Sequence, residues 1–266
     1  MIPYFHLETI PLGHFRMSVF GILLMTAILV GRWRILHLER SEGRSDERNI
    51  ALLCLVMLVF GLICAHVAKI VLADIPAFLV HPAIVLQKRH GIMSVGGFYG
   101  GLMAGLIWCK LRRVSGFETI RMLDRIAFVL PLSWMIGRLG CALIHDHVGQ
   151  ASTGWFAVRF PSGSAYDLGV LEFLFLIPLS ILFEALGRRP MPPGFFFGLF
   201  GVLYGALRAW LETLQPHPPT FTWGPKAGLV GMATGFAGWI AMLYYKRQAS
   251  KYPVATSAMA ARRYQL

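Results

Sequence analysis

Seven long apolar runs decide most of what this chain can become. They cover residues 16–38, 50–73, 94–111, 121–144, 167–186, 194–214 and 227–246. Crossing hydrocarbon takes about 20 residues of helix, because a buried backbone must satisfy its own hydrogen bonds. The pattern predicts an all-α integral membrane protein with about seven transmembrane helices. Only 14% of the residues are charged, against about 25% in soluble domains, so no appendage larger than a loop is expected. Residues 1–246 are assigned to the seven-span membrane domain and 247–266 to a cytoplasmic tail. Residues 147–166 are polar, alternate like a short strand at 155–160 and turn at 161–164; they are expected to form a small external, periplasmic cap.

A net charge of +12 would suggest nucleic acid until the basic residues are placed. Arg32, Arg34, Arg40, Arg44 and Arg48 follow the first run, and Lys110, Arg112, Arg113, Arg121 and Arg125 lie between the third and fourth. Arg188 and Arg189 follow the fifth run; Lys246, Arg247, Lys251, Arg262 and Arg263 end the chain. Seventeen of the 25 Lys and Arg therefore fall on alternate loops. The positive-inside rule puts the N-terminus outside and the C-terminus in the cytoplasm. Topology and anionic inner-leaflet lipid explain the charge, and nucleic-acid binding is not expected. Cys54, Cys64, Cys109 and Cys141 lie in or at the ends of apolar runs without CxxC spacing, so they read as small buried hydrophobes. The first run exceeds a signal-peptide core and lacks a cleavage site, so it reads as a retained span.

Ionisable groups in hydrocarbon cost several kcal/mol unless paired or wetted, and by default they mark a site. Two constellations stand out. The fourth run ends Gly137-Arg138-Leu139-Gly140-Cys141-Ala142-Leu143-Ile144-His145-Asp146-His147, and Pro131 should kink it ahead of Arg138. The sixth carries Tyr204, Arg208 and Glu212 at i, i+4, i+8, one helix face. Glu172 sits near the outer end of the fifth run. In the third run Gly97, Gly101 and Gly105 recur every four residues, which lets a neighbouring backbone approach closely; paired glycines also permit a broken helix. Tyr99 beside them reads as a core aromatic, an interface anchor or a hydroxyl donor. His66 reads as an interior hydrogen-bonded histidine or a substrate contact. Ser45 is placed to cap the second helix.

With these residues in hand, the chain resembles the bacterial prolipoprotein diacylglyceryl transferases over nearly its whole length. The resemblance rests on Met93-Ser94 followed by Gly100-Gly101-Leu102, on Gly137-Arg138-Leu139-Gly140, on the cap residues 156–161, and on Tyr204-Gly205-Ala206-Leu207-Arg208 with Glu212. It implies transfer of the diacylglyceryl group of phosphatidylglycerol to the lipobox cysteine of a lipoprotein precursor, releasing glycerol phosphate, in the bacterial inner membrane. The implied partners are phosphatidylglycerol or a related anionic phospholipid and the precursor's signal peptide, and no cofactor is implied. Arg138, Arg208 and Glu212 match the family's arginines and glutamate, and Asp146 stands where the family has a glutamate. Four positions depart from the family pattern: Tyr99 replaces a histidine, Cys141 an asparagine, Gln215 an arginine, and His66 an arginine. His145 and His147 are additional.

Guanidinium forks neutralise a phosphodiester bidentately, so Arg138 and Arg208 are assigned to the lipid phosphate. A thiol with a pKa near about 8.5 must lose its proton before attacking carbon, and His145, Asp146 and His147 offer a base and its orienting partner. Tyr99 could donate to a phosphate or glycerol oxygen, and Glu212 would hold Arg208 through an i, i+4 pair. Tyr204, Gly100, Gly101 and His66 complete the expected substrate contacts. Alternatives stay open: a lipid-binding paralogue without catalysis, a transporter, or a metal site at His145, Asp146 and His147. A complete metal site normally needs three or four ligands, so no metal is assigned.

Overall fold

The computed structural model describes residues 1–12, 15–41, 47–73, 75–83, 93–216 and 223–251. Ser45, residues 84–92 of the second loop, Pro218, Pro219 and the tail beyond Lys251 lie outside the described residues. The chain packs as two compact units, Arg44–Met122 and Met1–Gly43 with Leu123–Leu266. Five described helices are long and apolar enough to cross a membrane: Val19–Arg40, Glu47–Ile70, Gly116–Ile144, Leu168–Gly187 and Phe195–Thr213.

In the Arg44–Met122 unit, α2 (Glu47–Ala73), the short α3 (Ile75–Val80) and α4 (Ser94–Leu111) follow one another. Helix α4 is continuous over its 18 residues, so its paired glycines do not break it. They let α2 in instead: a Cβ on Gly101 would lie 2.9 Å from the Met57 carbonyl oxygen, and one on Gly61 3.0 Å from that of Gly97. Close backbone approach of this kind substitutes dispersion contact for a hydrophobic drive that lipid cannot supply.

The larger unit corrects the all-α expectation. Strands β1 (Ile2–Pro3), β4 (Val148–Ala151), β5 (Ala157–Phe160) and β6 (Gly163–Asp167) form a sheet in the order β1-β5-β6-β4, and β2 (Thr9–Leu12) pairs with β3 (Phe15–Ser18) in a hairpin. The register is antiparallel at Ala157↔Tyr166 and Val148↔Asp167, and parallel at Ile2↔Val158. Short stretches that alternate rather than repeat every 3.6 residues take this form. Residues 16–18, expected in the first span, belong to the hairpin. Helix α1 starts only at Val19, where the Ser18 hydroxyl accepts from the Gly21 amide at 3.4 Å as an N-cap.

Helices α1 (Val19–Ser41), α5 (Gly116–Ile144), α6 (Leu168–Gly187), α7 (Phe195–Thr213) and α8 (Trp223–Lys251) complete the set, α5 beginning in the smaller unit. Phe128, Phe183 and Phe196 are almost wholly buried, with the Phe128 and Phe196 rings 4.9 Å apart. Charges join this core in pairs: Arg34 with Glu184 at 2.6 Å, and Arg125 with Glu39. Asp124 reaches from α5 to accept the Phe197 amide at 2.9 Å, satisfying a donor that the first turn of α7 leaves orphaned. Helices α7 and α8 meet backbone to backbone: a Cβ on Gly201 would lie 2.6 Å from Gly235 Cα, and one on Gly205 2.7 Å from the Met232 amide nitrogen.

Candidate active site

Strand β4 and its flanks stitch together the ends of three helices. The Leu168 amide at the start of α6 donates to the His147 carbonyl at 2.9 Å, and the Gln150 amide donates to the Leu214 carbonyl at 2.8 Å. The Gln150 side-chain amide adds bonds to the carbonyls of Thr213 and Gln215, each 3.0 Å, covering orphan acceptors at the end of α7. The C-terminal ends of α5 and α7 and the N-terminal end of α6 are thereby held level. Each carries a charged residue within two turns of that end.

Those three residues converge. Glu172 is fully buried, and Arg138 Nε lies 2.8 Å from its Oε1 while Arg208 Nη1 lies 3.2 Å from its Oε2. The Tyr204 hydroxyl and the Trp134 indole, the latter at 2.9 Å, also donate to Oε1. The Arg138 guanidinium lies 5.5 Å from the Trp134 ring centroid. On α7, Arg208 Nη2 pairs with Glu212 one turn on, and the Gln215 amide donates to the other Glu212 oxygen. Gln215 thus occupies with a neutral donor the position where the resemblance expects an arginine. Among the described residues, Arg208 Nε is buried without an acceptor. Two guanidiniums from different helices are fixed in advance by carboxylates, and the Arg208 Nε–H can be offered to an anion.

Sequence reasoning singled out Arg138, Arg208, Tyr204 and Glu212, and the structure brings all four together. It missed the group they gather on. A glutamate one turn inside the apolar run 167–186 was the available signal. Trp134 gave none, since an indole in a membrane helix is ordinarily an anchor.

The His145-Asp146-His147 triplet is split between two sets of partners. His145 has a left-handed backbone, φ 53°, that ends α5. Its Nδ1 lies 2.7 Å from Asp167 Oδ2, its Nε2 lies 2.9 Å from the Phe5 carbonyl, and Tyr4 stacks on it with centroids 4.9 Å apart. With both ring nitrogens engaged, His145 clamps the N-terminal segment to the sheet. Asp167 also caps α6, accepting the Val170 amide at 2.9 Å. Burial lifts the Asp167 carboxyl above the ordinary carboxylate range, and the Val170 amide and His145 draw it partly back. Asp146 and His147 turn the other way and pair at 2.5 Å. Among the described residues, Cys141, Asp146 and His147 form a potential metal-ligating group, one ligand atom from each lying within 4.8 Å of the others. Arg138 Nη1 lies 3.7 Å from the Cys141 sulfur.

Tyr99, Gly100, Gly101 and His66 belong to the smaller unit. Tyr99 and the two glycines lie on α4 and His66 on α2. There Gly100 packs on Cys64 and Gly101 on the Met57 carbonyl, so the glycines have a packing duty of their own.

Comparison with known proteins agrees with the motifs. A family model described as prolipoprotein diacylglyceryl transferase matches residues 8–245. The relatives include proteins named phosphatidylglycerol--prolipoprotein diacylglyceryl transferase. The one from Symbiobacterium thermophilum is 25% identical over 90% of this chain and 92% of its own length. That from Azotobacter vinelandii is 28% identical over 81% and 83%. That from Caldanaerobacter subterraneus is 29% identical over 75% and 74%. A family-model match over residues 8–245, most of the chain, means that the chain belongs to the prolipoprotein diacylglyceryl transferase family.

Proposed function

We propose that this protein transfers the diacylglyceryl group of phosphatidylglycerol to a thiol, the lipobox cysteine of a prolipoprotein, with glycerol phosphate departing. The observation that carries the reading is the meeting of Arg138 and Arg208 on Glu172. In the reaction the thiolate sulfur attacks the glyceryl carbon bonded to the phosphate oxygen. A C–S bond forms, the C–O bond breaks, and its electron pair stays on the phosphate. A diester monoanion becomes a monoester that carries one charge more. Guanidinium donors held in place beforehand by carboxylates stabilise the added charge with little reorganisation. Arg138 and Arg208 take the phosphate, Tyr204 donates beside them, and Glu212 holds Arg208. The Asp146–His147 pair receives the thiol proton. Tyr99, Gly100, Gly101 and His66 contact the lipid, on the family resemblance alone.

The protein works within a bacterial cytoplasmic membrane that seven helices cross. To the five long apolar helices, α4 with 18 residues and the apolar stretch Gly228–Ile240 of α8 add two more. Basic loops on alternate connections put the C-terminus and the tail 247–266 in the cytoplasm and the 147–166 cap outside. Labelled phosphatidylglycerol and a lipobox peptide, given to the protein in detergent, should yield a lipidated peptide, and Arg138→Ala should abolish it. A wild-type protein that retains the phospholipid but leaves every thiol unmodified is a lipid-binding paralogue, a reading favoured by Gln215 and Tyr99 at family positions.

A further inference from the structure

The turn that joins α4 to α5 carries cations that the site around Glu172 does not use. It borders a cavity of about 610 Å³ within the Arg44–Met122 unit, lined in part by Asn49, Trp108, Arg112, Arg113, Ser115 and Glu118. Arg112 is steadied from two sides: its guanidinium lies 5.8 Å from the Trp108 ring centroid, and Nη2 lies 3.5 Å from Asn49 Oδ1 on α2. Arg113 has a left-handed backbone, φ 54°, where a helix end ordinarily places glycine. An arginine there accepts backbone strain and sets a second cation in the lining. The Ser115 hydroxyl caps α5, accepting the Glu118 amide at 3.3 Å, so the positive end of a 29-residue helix borders the same space.

The balance of charge selects the ligand. Glu118, which lines the cavity, is paired with Arg121 at 3.1 Å, whereas no carboxylate among the described residues pairs with Arg112 or Arg113. An ammonium group therefore meets no uncommitted acid there, and an anion meets two guanidiniums beside a helix N-terminus. Phosphate suits such forks, which hold two of its oxygens at once. The lining also has an apolar side. Leu111 belongs to it, is 77% exposed, and ends a stripe of exposed residues, Met103, Ile107 and Leu111, spaced four apart on α4. That spacing keeps them on one helix face. A soluble anion has no use for such a stripe, whereas an acyl chain can lie along it. Trp108 stands at the junction of the two, where indoles mark the membrane–water interface.

We infer that this cavity is a second lipid site, which takes the phosphate of an anionic glycerophospholipid from the cytoplasmic leaflet. The site depends on the proposed topology, which puts the α4–α5 turn on the cytoplasmic side, and not on the transferase chemistry. Arg112 and Arg113 hold the phosphate oxygens, the first turn of α5 adds its positive end, and one acyl chain follows Leu111, Ile107 and Met103 into the hydrocarbon. Asn49, Arg112 and Ser115 come from α2, the end of α4 and the start of α5. A lipid seated among them ties three segments of the unit together, and a ligand that binds only the folded chain raises its stability. The lipid here is a bound component and not the substrate.

Delipidated protein in detergent, titrated with phosphatidylglycerol and followed by native mass spectrometry, should bind two lipids per chain. Arg138→Ala should remove one of them. The double variant Arg112→Gln/Arg113→Gln should weaken the other roughly 30-fold, about fivefold for each arginine. Both arginines are exposed, so their loss leaves the core intact. Arg113→Gly relaxes the left-handed turn, so its midpoint without lipid should not fall while second-site affinity drops about fivefold. Phosphatidylcholine should not fill the second site, and glycerol phosphate at equal concentration should not displace phosphatidylglycerol from it. Displacement on equal terms means a soluble phosphate ester and overturns the lipid assignment. Equal binding of phosphatidylcholine, or wild-type binding by the double variant, overturns the site and leaves the transferase reading standing. A membrane-impermeant maleimide should label Arg113→Cys in inside-out vesicles and not in spheroplasts; the opposite pattern overturns the leaflet. A second lipid lost with the two arginines, in wild-type protein that transfers nothing to a lipobox peptide, leaves the site standing while the transferase reading falls.

Discussion

Replacing Glu172 by glutamine tests the centre of the site with almost no change of shape. The residue is fully buried and its two oxygens meet Arg138 Nε at 2.8 Å and Arg208 Nη1 at 3.2 Å. Two unit charges about 4 Å apart at an effective dielectric of about 20 attract by about 4 kcal/mol, so the two pairs together supply about 8 kcal/mol of gross attraction. Part of that offsets the desolvation of the carboxylate, and breaking a buried pair by neutralising one partner costs about 3 to 5 kcal/mol net. Glutamine also turns an N–H2 group towards one guanidinium, since only one of its two terminal atoms can accept. Arg208 retains Glu212, but Arg138 loses its charged partner, so Glu172→Gln should displace Arg138 more than Arg208. The expected result is a clear fall in the thermal midpoint in detergent. Lipid transfer to a lipobox peptide should fall by about 100- to 1,000-fold, the usual cost of one misplaced donor to a developing anion. A parallel Glu172→Asp protein keeps the charge and should recover part of both. If Glu172→Gln keeps the wild-type midpoint and rate, Glu172 does not organise the arginines and the proposed site is wrong.

Further outcomes follow from the same geometry. Arg138→Lys keeps a cation but loses the fork and the contact with Trp134, so transfer should drop by about 100-fold with little change in melting. Glu39→Gln breaks a pair whose side chains are each 3% exposed and should cost about 3 to 5 kcal/mol of stability, read as a lower midpoint, while intact protein at low temperature keeps its transfer rate. Gly205→Val drives a side chain into the α8 backbone, where even Cβ would lie 2.8 Å from the Gly228 carbonyl; it should cost about 1 to 3 kcal/mol or more and lower the yield of folded protein in membranes. His145→Ala removes the bond to Phe5 and the stack with Tyr4, so limited proteolysis should cut the first residues faster than in wild type.

The apolar runs made the helices legible, because a 20-residue stretch without charge has few other fates. Their ends were less so. Residues 16–18 look like the start of a span until Ser18 is seen capping the helix from outside it. The sheet was half visible: the alternation at 155–160 is a strand signal, but β1 is only two residues long, and nothing in Ile2-Pro3 announces a parallel pairing with β5. Within the site, the arginines could be found because each is costly where it stands. Glu172 was visible as an oddity but not as a hub, since convergence of α5, α6 and α7 is a fact of tertiary structure. The triplet at 145–147 shows the same limit from the other side. Three adjacent titratable residues read as one group, and a single left-handed residue sends the first one way and the other two another.

The seam between α7 and α8 has a consequence for the bilayer around the protein. At Gly201, Gly205, Gly228 and Gly235 the two helices touch through backbone, and near Gly198 and Gly238 the Trp239 and Phe197 rings lock into the seam. When the hydrocarbon thickens or thins, single helices adjust by tilting or sliding. These two mesh like teeth, so they tilt as one plank and cannot slip past each other by less than a whole turn. Arg208, one turn beyond Gly205, is therefore held at a fixed height along α8, and acyl-chain length should change how readily a lipid enters much more than where on that plank its phosphate is caught.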